Sequence, residues 1–194
     1  MSRLTSAVKA ELASDYRKAL SLYRQLIAQG SQLDRIGISQ ALARCYEKLG
    51  SLKEAAYWHD RAGQAYMRLP SRVMGTQERA YYALIEFRSA LQEYMAGPAM
   101  KRAGQRYVKA LDTCLKGGKE GYSHEMLFAG YLSAKLGMLR KSASFFSDSA
   151  KQFEREAKLK LAREMYEMAA FSFDKAGDHK TATTVRRAAA KLRL

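Results

Sequence analysis

The side chains able to do chemistry are few and scattered: His59, His124 and His179, Cys45 and Cys114, and a carboxylate pair three residues apart, Glu164 and Glu167. A zinc site read from sequence needs ligands at helical or tight-turn spacing, as in His-Glu-x-x-His or Cys-x-x-Cys. No histidine here has a metal-ligating residue at i+3 or i+4, and neither motif occurs. The expectation is therefore no metal and no cofactor, with each histidine on the surface or between helices. Glu164 and Glu167 share a helix face and could do acid–base work, but Lys160 and Arg163 beside them read as a solvated, charge-paired face. Gly118-Lys119 has the last glycine and lysine of a phosphate loop without its upstream glycine, the following Ser/Thr or a preceding strand. No serine or cysteine carries a local nucleophile signature. These absences predict a protein that is not an enzyme.

The elements that must position any site are helices. The 194 residues are rich in Ala, Leu, Lys, Arg, Glu, Gln and Met, contain only Pro70 and Pro98, and include no asparagine, so Asn-Gly hairpins are excluded. Length suits one domain or a short repeat array. The N-terminal residues lack the apolar block of a secretory signal, and the most apolar stretch, around 130–139, is interrupted by Lys135. Cys45 and Cys114 lie inside helical patterns and read as buried free thiols, so a cytoplasmic location is expected. Net charge is +15 and uneven: residues 1–97 hold 14 Lys/Arg against 9 Asp/Glu, and residues 98–194 hold 20 against 10. Such a surface attracts acidic protein segments, nucleic acid or anionic lipid.

Repeats organise the helices. In the stretch from Ala41 to Ala62, two apolar faces of helical period flank Leu49-Gly50-Ser51. Gly50 suits the left-handed residue past a helix end, and Ser51 with Glu54 reads as a capping box opening the next helix. Leu42, Ala43, Tyr46, Gly50, Ala55 and Ala62 resemble the packing positions of a tetratricopeptide repeat, with His59 where that family prefers a large aromatic and Trp58 beside it. The frame recurs at Ala7, Tyr16, Ala19 and Tyr23, with a turn near Ser14-Asp15. It returns at Phe87, Ala90, Ala103 and Tyr107, with Gly97-Pro98 starting a second helix. Gly130, Gly137, Leu139 and Phe146 make the fourth copy, and Tyr166, Ala170, Phe173, Gly177 and Ala182 the fifth, with Asp178 as an N-cap. Small residues needed at close helix approaches fall at 19, 55, 103, 142 and 182. Their spacings of 36, 48, 39 and 40 exceed a strict 34-residue repeat and are more similar to the helical array of soluble NSF attachment proteins. The resemblance implies an all-α, right-handed superhelix of about five antiparallel hairpins, over approximately 1–30, 31–69, 76–116, 123–157 and 158–194, in a single domain.

The same resemblance implies a concave groove lined by the first helix of each hairpin. Its candidate residues are Gln40, Arg44 and Lys48; Arg88 and Gln92; Leu127, Tyr131 and Lys135; Phe171 and Lys175. Each set runs at three- and four-residue spacing, hence along one stripe. Tyr131 and Phe171 are of types more often found in a core. The first hairpin offers Leu4, Val8 and Glu11, an apolar face suited to a terminal cap or a contact between copies of the chain. With Leu4 and Val8 at the expected clamp positions and no asparagine, the chaperone-tail clamp of some tetratricopeptide domains is not expected. A second surface is the C-terminal helix with Lys180, Arg186, Arg187, Lys191 and Arg193, fit for phosphate backbones. The resulting expectation is a scaffold or adaptor holding an acidic peptide or helix in the groove. The alternative is an RNA-associated protein using the C-terminal basic surface.

Overall fold

Ten helices form in a computed structural model that describes residues 2–94 and 97–192. They are α1 (Arg3–Leu12), α2 (Tyr16–Ile27), α3 (Gln32–Lys48), α4 (Leu52–Arg68), α5 (Thr76–Glu93), α6 (Gly97–Leu115), α7 (Ser123–Lys135), α8 (Leu139–Arg155), α9 (Leu159–Lys175) and α10 (His179–Lys191). The fold is all-α, with no strand among the described residues, and no helix there is long and apolar enough to cross a membrane.

One kind of turn closes five of the connections. Ser14, Gly50, Gly137, Ala157 and Gly177 adopt φ of 59°, 73°, 76°, 56° and 80°. The next residue's amide reaches back five positions in every case: Asp15 to the Ala10 carbonyl at 2.9 Å, Ser51 to Tyr46 at 2.9 Å, Met138 to Ser133 at 2.8 Å, Lys158 to Phe153 at 2.8 Å and Asp178 to Phe173 at 2.9 Å. This Schellman geometry satisfies carbonyls orphaned at the helix end. Three sites use glycine, which has no Cβ to clash in the left-handed region; Ser14 and Ala157 carry that cost. Asp178 caps α10 as expected, its carboxylate accepting from the Thr181 amide at 3.1 Å. The expected capping box at Ser51 is a correction: Ser51 stands at the N-cap but makes no side-chain cap bond. The reciprocal box forms instead at Ser31 and Asp34, where the Asp34 amide donates to Ser31 Oγ at 3.3 Å and the Ser31 amide to the Asp34 carboxylate at 2.9 Å.

The chain divides into two compact units, Met1–Ala110 and Leu111–Leu194. In the first, Ala7, Ala19, Leu20, Tyr23, Leu42, Cys45 and Ala55 form a core against which Tyr16, Leu26 and Trp58 pack. In the second, Phe146, Phe153, Met165, Tyr166, Ala182 and Val185 form the equivalent core. Both cysteines are buried and free. The small residues Ala19, Ala55, Ala103, Ser142 and Ala182 are all fully buried, so neighbouring helices approach at those points.

Two glycines permit still closer approach inside helices. A Cβ at Gly63 would lie 2.6 Å from the Phe87 ring, and one at Gly130 would lie 2.7 Å from the Phe146 ring. Carbon atoms in contact prefer about 3.5–4.0 Å, and Phe146 is fully buried with nowhere to swing. Gly130→Ala is therefore expected to lower stability by about 1–3 kcal/mol through overpacking. An exposed helix interior would instead gain roughly 0.5–1 kcal/mol from the same change. Ala157→Gly, relieving a left-handed alanine, should raise stability by about 1 kcal/mol. Thermal unfolding of the two variants checks both signs.

Candidate binding face and a buried histidine–carboxylate cluster

In the first unit, side chains of α1, α3 and α5 meet. Arg44 on α3 donates to Glu11 on α1 at 3.0 Å, and Gln40 on α3 donates to Glu86 on α5 at 2.7 Å. An acidic residue in the last turn of a helix opposes the helix dipole. Glu11 offsets this with donors: besides Arg44, the Tyr23 hydroxyl from α2 donates to it at 2.7 Å. Burial and that carboxylate together raise the Tyr23 hydroxyl well above its ordinary range. Beside this network runs a groove of about 580 Å³ whose lining includes Leu4, Val8, Leu26, Leu33 and Ile38, with Arg44 among its polar residues. Lys48 and Gln92 are exposed, and Arg88 is half-buried. Gln40 is held by Glu86 and lies 3.4 Å from the Tyr66 hydroxyl, so its amide is committed within the protein. Tyr81, Tyr82 and Ile85 on α5 are exposed, an apolar patch that the groove stripe of Arg88 and Gln92 did not include. Its signal was an apolar pair, Tyr81 and Ile85, at i,i+4.

In the second unit, Leu127 on α7 is half-buried against the core. Tyr131 and Phe171 are not core residues: they are 51% and 56% exposed. Tyr131 rests edge-on against Phe146 at 5.0 Å between centroids, and the Lys175 ammonium lies 5.6 Å from the Phe171 ring. Lys135 and Lys175 are exposed at the ends of α7 and α9, where the dipole favours cations.

On α10, Lys180, Arg186, Arg187 and Lys191 are exposed, while Arg193 lies outside the described residues. Arg186 is tied to Asp174, which also receives His179 Nδ1 at 3.0 Å. His124 stands edge-on to Phe153 at 5.2 Å. Glu164 and Glu167 are exposed, and Glu167 pairs with Arg163 at 3.3 Å. Burial pushes the Cys45 thiol up to about 11 and also raises Cys114, so neither is a ready thiolate.

His59 differs from the other two histidines. Its side chain, 11% exposed, lies between Glu86, 2.7 Å from Nδ1, and Glu47, 2.8 Å from Nε2. Burial acts to lower its pKa, but the two carboxylate acceptors outweigh it and raise the imidazole above its ordinary value. Glu93, the last residue of α5, joins Glu47 and His59 with one ligand atom from each within 4.8 Å of the others. Burial pushes the Glu93 carboxyl up to about 7; His59 pulls it down and the adjoining Glu47 carboxyl pushes it further up. Sequence reading left His59 either on the surface or between helices and saw no partners, because they lie 12, 27 and 34 residues away on α3 and α5.

No family model matches the chain, and no curated protein matches its sequence. Among solved structures, BtubC (BKLC) from P. vanneervenii is similar with a TM-score of 0.51 at 19% identity, over 96% of this chain and 76% of that one. MamA AMB-1 is similar with a TM-score of 0.50 at 14% identity, over 99% of this chain and 98% of that one. At such identities the likeness concerns the fold, which is that of a helical-repeat protein.

The attachment of α10 generates a pH prediction. Asp178 is held below its ordinary pKa by the Thr181 backbone amide and hydroxyl, and Asp174 by His179 and Arg186. A carboxylate depressed on folding contributes stability that is complete above its unfolded pKa, about 3.9, and is lost as pH falls through the folded value. Asp178→Ala should lower the thermal midpoint at pH 7 and lose less further stability than the parent between pH 4 and pH 2. Thermal unfolding across that range, followed by circular dichroism, reads both effects.

Proposed function

We propose that the protein is a non-catalytic adaptor of the tetratricopeptide kind, holding an acidic amphipathic segment of a partner protein against the first helices of its hairpins. The observation that carries this reading is the placement of exposed apolar side chains. Among the described residues, most large apolar groups left in solvent lie on odd-numbered helices: Leu4, Val8 and Leu12 on α1, Leu33 on α3, Tyr81, Tyr82 and Ile85 on α5, Tyr131 on α7, Leu161 and Phe171 on α9. Folding normally removes such groups from water, and clustered exposed ones mark binding surfaces. Cations accompany them: Arg44 and Lys48 on α3, Lys135 on α7 and Lys175 on α9. Tyrosine and arginine are also the types that dominate binding energy at interfaces.

The chemistry of the partner follows from this mixture. Apolar side chains at i and i+3 or i+4 of a helical segment would enter the groove beside Leu4 and Val8 in the first unit; in the second unit the same chemistry would cover Tyr131 or Phe171. Carboxylates flanking them would meet Arg44, which would then divide its guanidinium between Glu11 and the partner. The net charge of +15 favours encounter with an acidic segment at moderate salt. The family resemblance in the hairpin signature supports the same reading, without the chaperone-tail clamp.

The test recovers the tagged protein from its native lysate with and without nuclease, then repeats the capture with Arg44→Ala, Arg88→Ala and Tyr131→Ser combined. A defined protein partner that survives nuclease and is lost, by about 100-fold in affinity, from a triple variant with native circular dichroism supports the proposal. Capture retained by that variant overturns the binding face. Loss of all partners with nuclease, together with steep salt dependence removed by alanine at Arg186, Arg187 and Lys191, overturns the adaptor reading in favour of nucleic acid.

A further inference from the structure

The geometry points to a divalent metal site in the first unit, with Glu47, His59 and Glu93 as ligands to an ion of the Zn²⁺ class and Glu86 orienting the histidine. Nothing in the binding-face argument uses these residues as contacts, so the two readings stand or fall separately.

The three ligands come from three helices. Glu47 lies in the last turn of α3, His59 in the middle of α4 and Glu93 at the end of α5. Their ligand atoms lie within 4.8 Å of one another. Ligands around one zinc at about 2.0–2.2 Å sit roughly 3.4 Å apart. An ion would have to draw the three ligand atoms together, and the flexible stems of the two glutamates supply freedom for that. Glu47 is the exposed member, its side chain 39% accessible, and provides the route by which an ion enters.

The histidine is already set for coordination. A metal-binding imidazole characteristically donates its second ring N–H to a carboxylate, which fixes the tautomer and increases the basicity of the ligating nitrogen. Glu86 fills that place: it is buried, lies 2.7 Å from Nδ1, and is itself held by the Gln40 amide at 2.7 Å. Donation from Nδ1 leaves the Nε2 lone pair facing Glu47 and the neighbouring Glu93. Without an ion, an imidazolium satisfies both carboxylates by donating from its two nitrogens.

An independent observation concerns Glu93. Its Oε2 is buried and accepts no hydrogen bond among the described residues. A buried carboxylate oxygen without a donor is costly, and here the adjoining group is another carboxyl, that of Glu47. Two carboxylates and a neutral imidazole carry a charge of −2, which a divalent cation cancels, leaving a coordination position for water. One nitrogen and two oxygen donors fit zinc, whereas magnesium demands octahedral oxygen coordination and retains its waters.

Such an ion would tie α3, α4 and α5 together and stabilise the folded state through binding. The test is calorimetric titration of the chelator-stripped, full-length protein with Zn²⁺ and with Mg²⁺, beside thermal unfolding in each. One zinc per chain, a raised midpoint with zinc only, and a tetrahedral visible spectrum on Co²⁺ substitution are expected. Glu93→Gln and His59→Gln should each lose most of the affinity, and Glu86→Gln should lose about 10–100-fold as an orienting group. His179→Gln should leave binding unchanged. Absence of saturable zinc binding by the parent protein at 100-fold molar excess overturns the proposal without reference to any variant. Binding that survives both ligand substitutions, or that disappears with His179, overturns it equally.

Discussion

At five connections this chain leaves one α-helix and starts the next within three residues, and at each of them one residue turns left-handed. That backbone constraint is met at Ser14, Gly50, Gly137, Ala157 and Gly177, and the rest of the structure depends on it. Because the turns share one hydrogen-bond pattern, positions counted from them acquire fixed surroundings. Five residues on stand Ala19, Ala55, Ser142, Ala162 and Ala182, all fully buried where helices touch. Three residues before stand Glu11, Glu47, Ala134, Glu154 and Asp174, and nine after stand Tyr23, His59, Phe146, Tyr166 and Arg186. Wherever the earlier position is acidic, the later one bonds to it: Tyr23 to Glu11 at 2.7 Å, His59 to Glu47 at 2.8 Å, Tyr166 to Glu154 at 3.0 Å, and Arg186 to Asp174. A carboxylate near a helix C-terminus is electrostatically misplaced, and a donor from the next helix compensates while locking the hairpin register.

His59 can be understood within this frame. It occupies the slot that tyrosine fills in two other hairpins, so its backbone position follows from the turn at Gly50. What makes it chemically distinct is the arrival of α5, which brings Glu86 and Glu93 to the two sides of the ring. A structural slot has thereby acquired the composition of a ligand site, while the same slot elsewhere remains a hydroxyl–carboxylate clasp. Three candidate groove cations are likewise explained by the turn frame. Lys48, Lys135 and Lys175 each lie in the last turn of a first helix, two residues before a left-handed glycine, where the dipole alone favours them. Lys135 and Lys175 share α7 and α9 with the exposed rings of Tyr131 and Phe171.

Much of the fold was legible in the sequence because its determinants are local. Glycine in the turns at 50, 137 and 177, the small residues five positions on, and Asp178 at its cap each follow from two or three neighbouring residues. Turns using Ser14 and Ala157 have no glycine to announce the left-handed backbone, though Ser14-Asp15 read as a turn. Ser51 failed as a side-chain cap although its spacing to Glu54 was right, since spacing does not dictate rotamer. The candidate sites were less legible for a different reason. Gln40 was assigned to the groove by its stripe, but its amide serves Glu86, an interaction 46 residues away in sequence. Glu93 and His59 meet only through packing of α4 against α5, which no local spacing encodes.

His59→Tyr tests the central claim, that positions counted from the turn are structural slots with exchangeable chemistry. The measurement is thermal unfolding of that variant in chelator, followed by circular dichroism. The account predicts a cooperative transition with native helix content, the new hydroxyl taking the place of the imidazole at Glu47 as Tyr23 does at Glu11. Loss of helix content or of cooperative unfolding would contradict it, and would mean that the hairpin depends on histidine itself rather than on the slot.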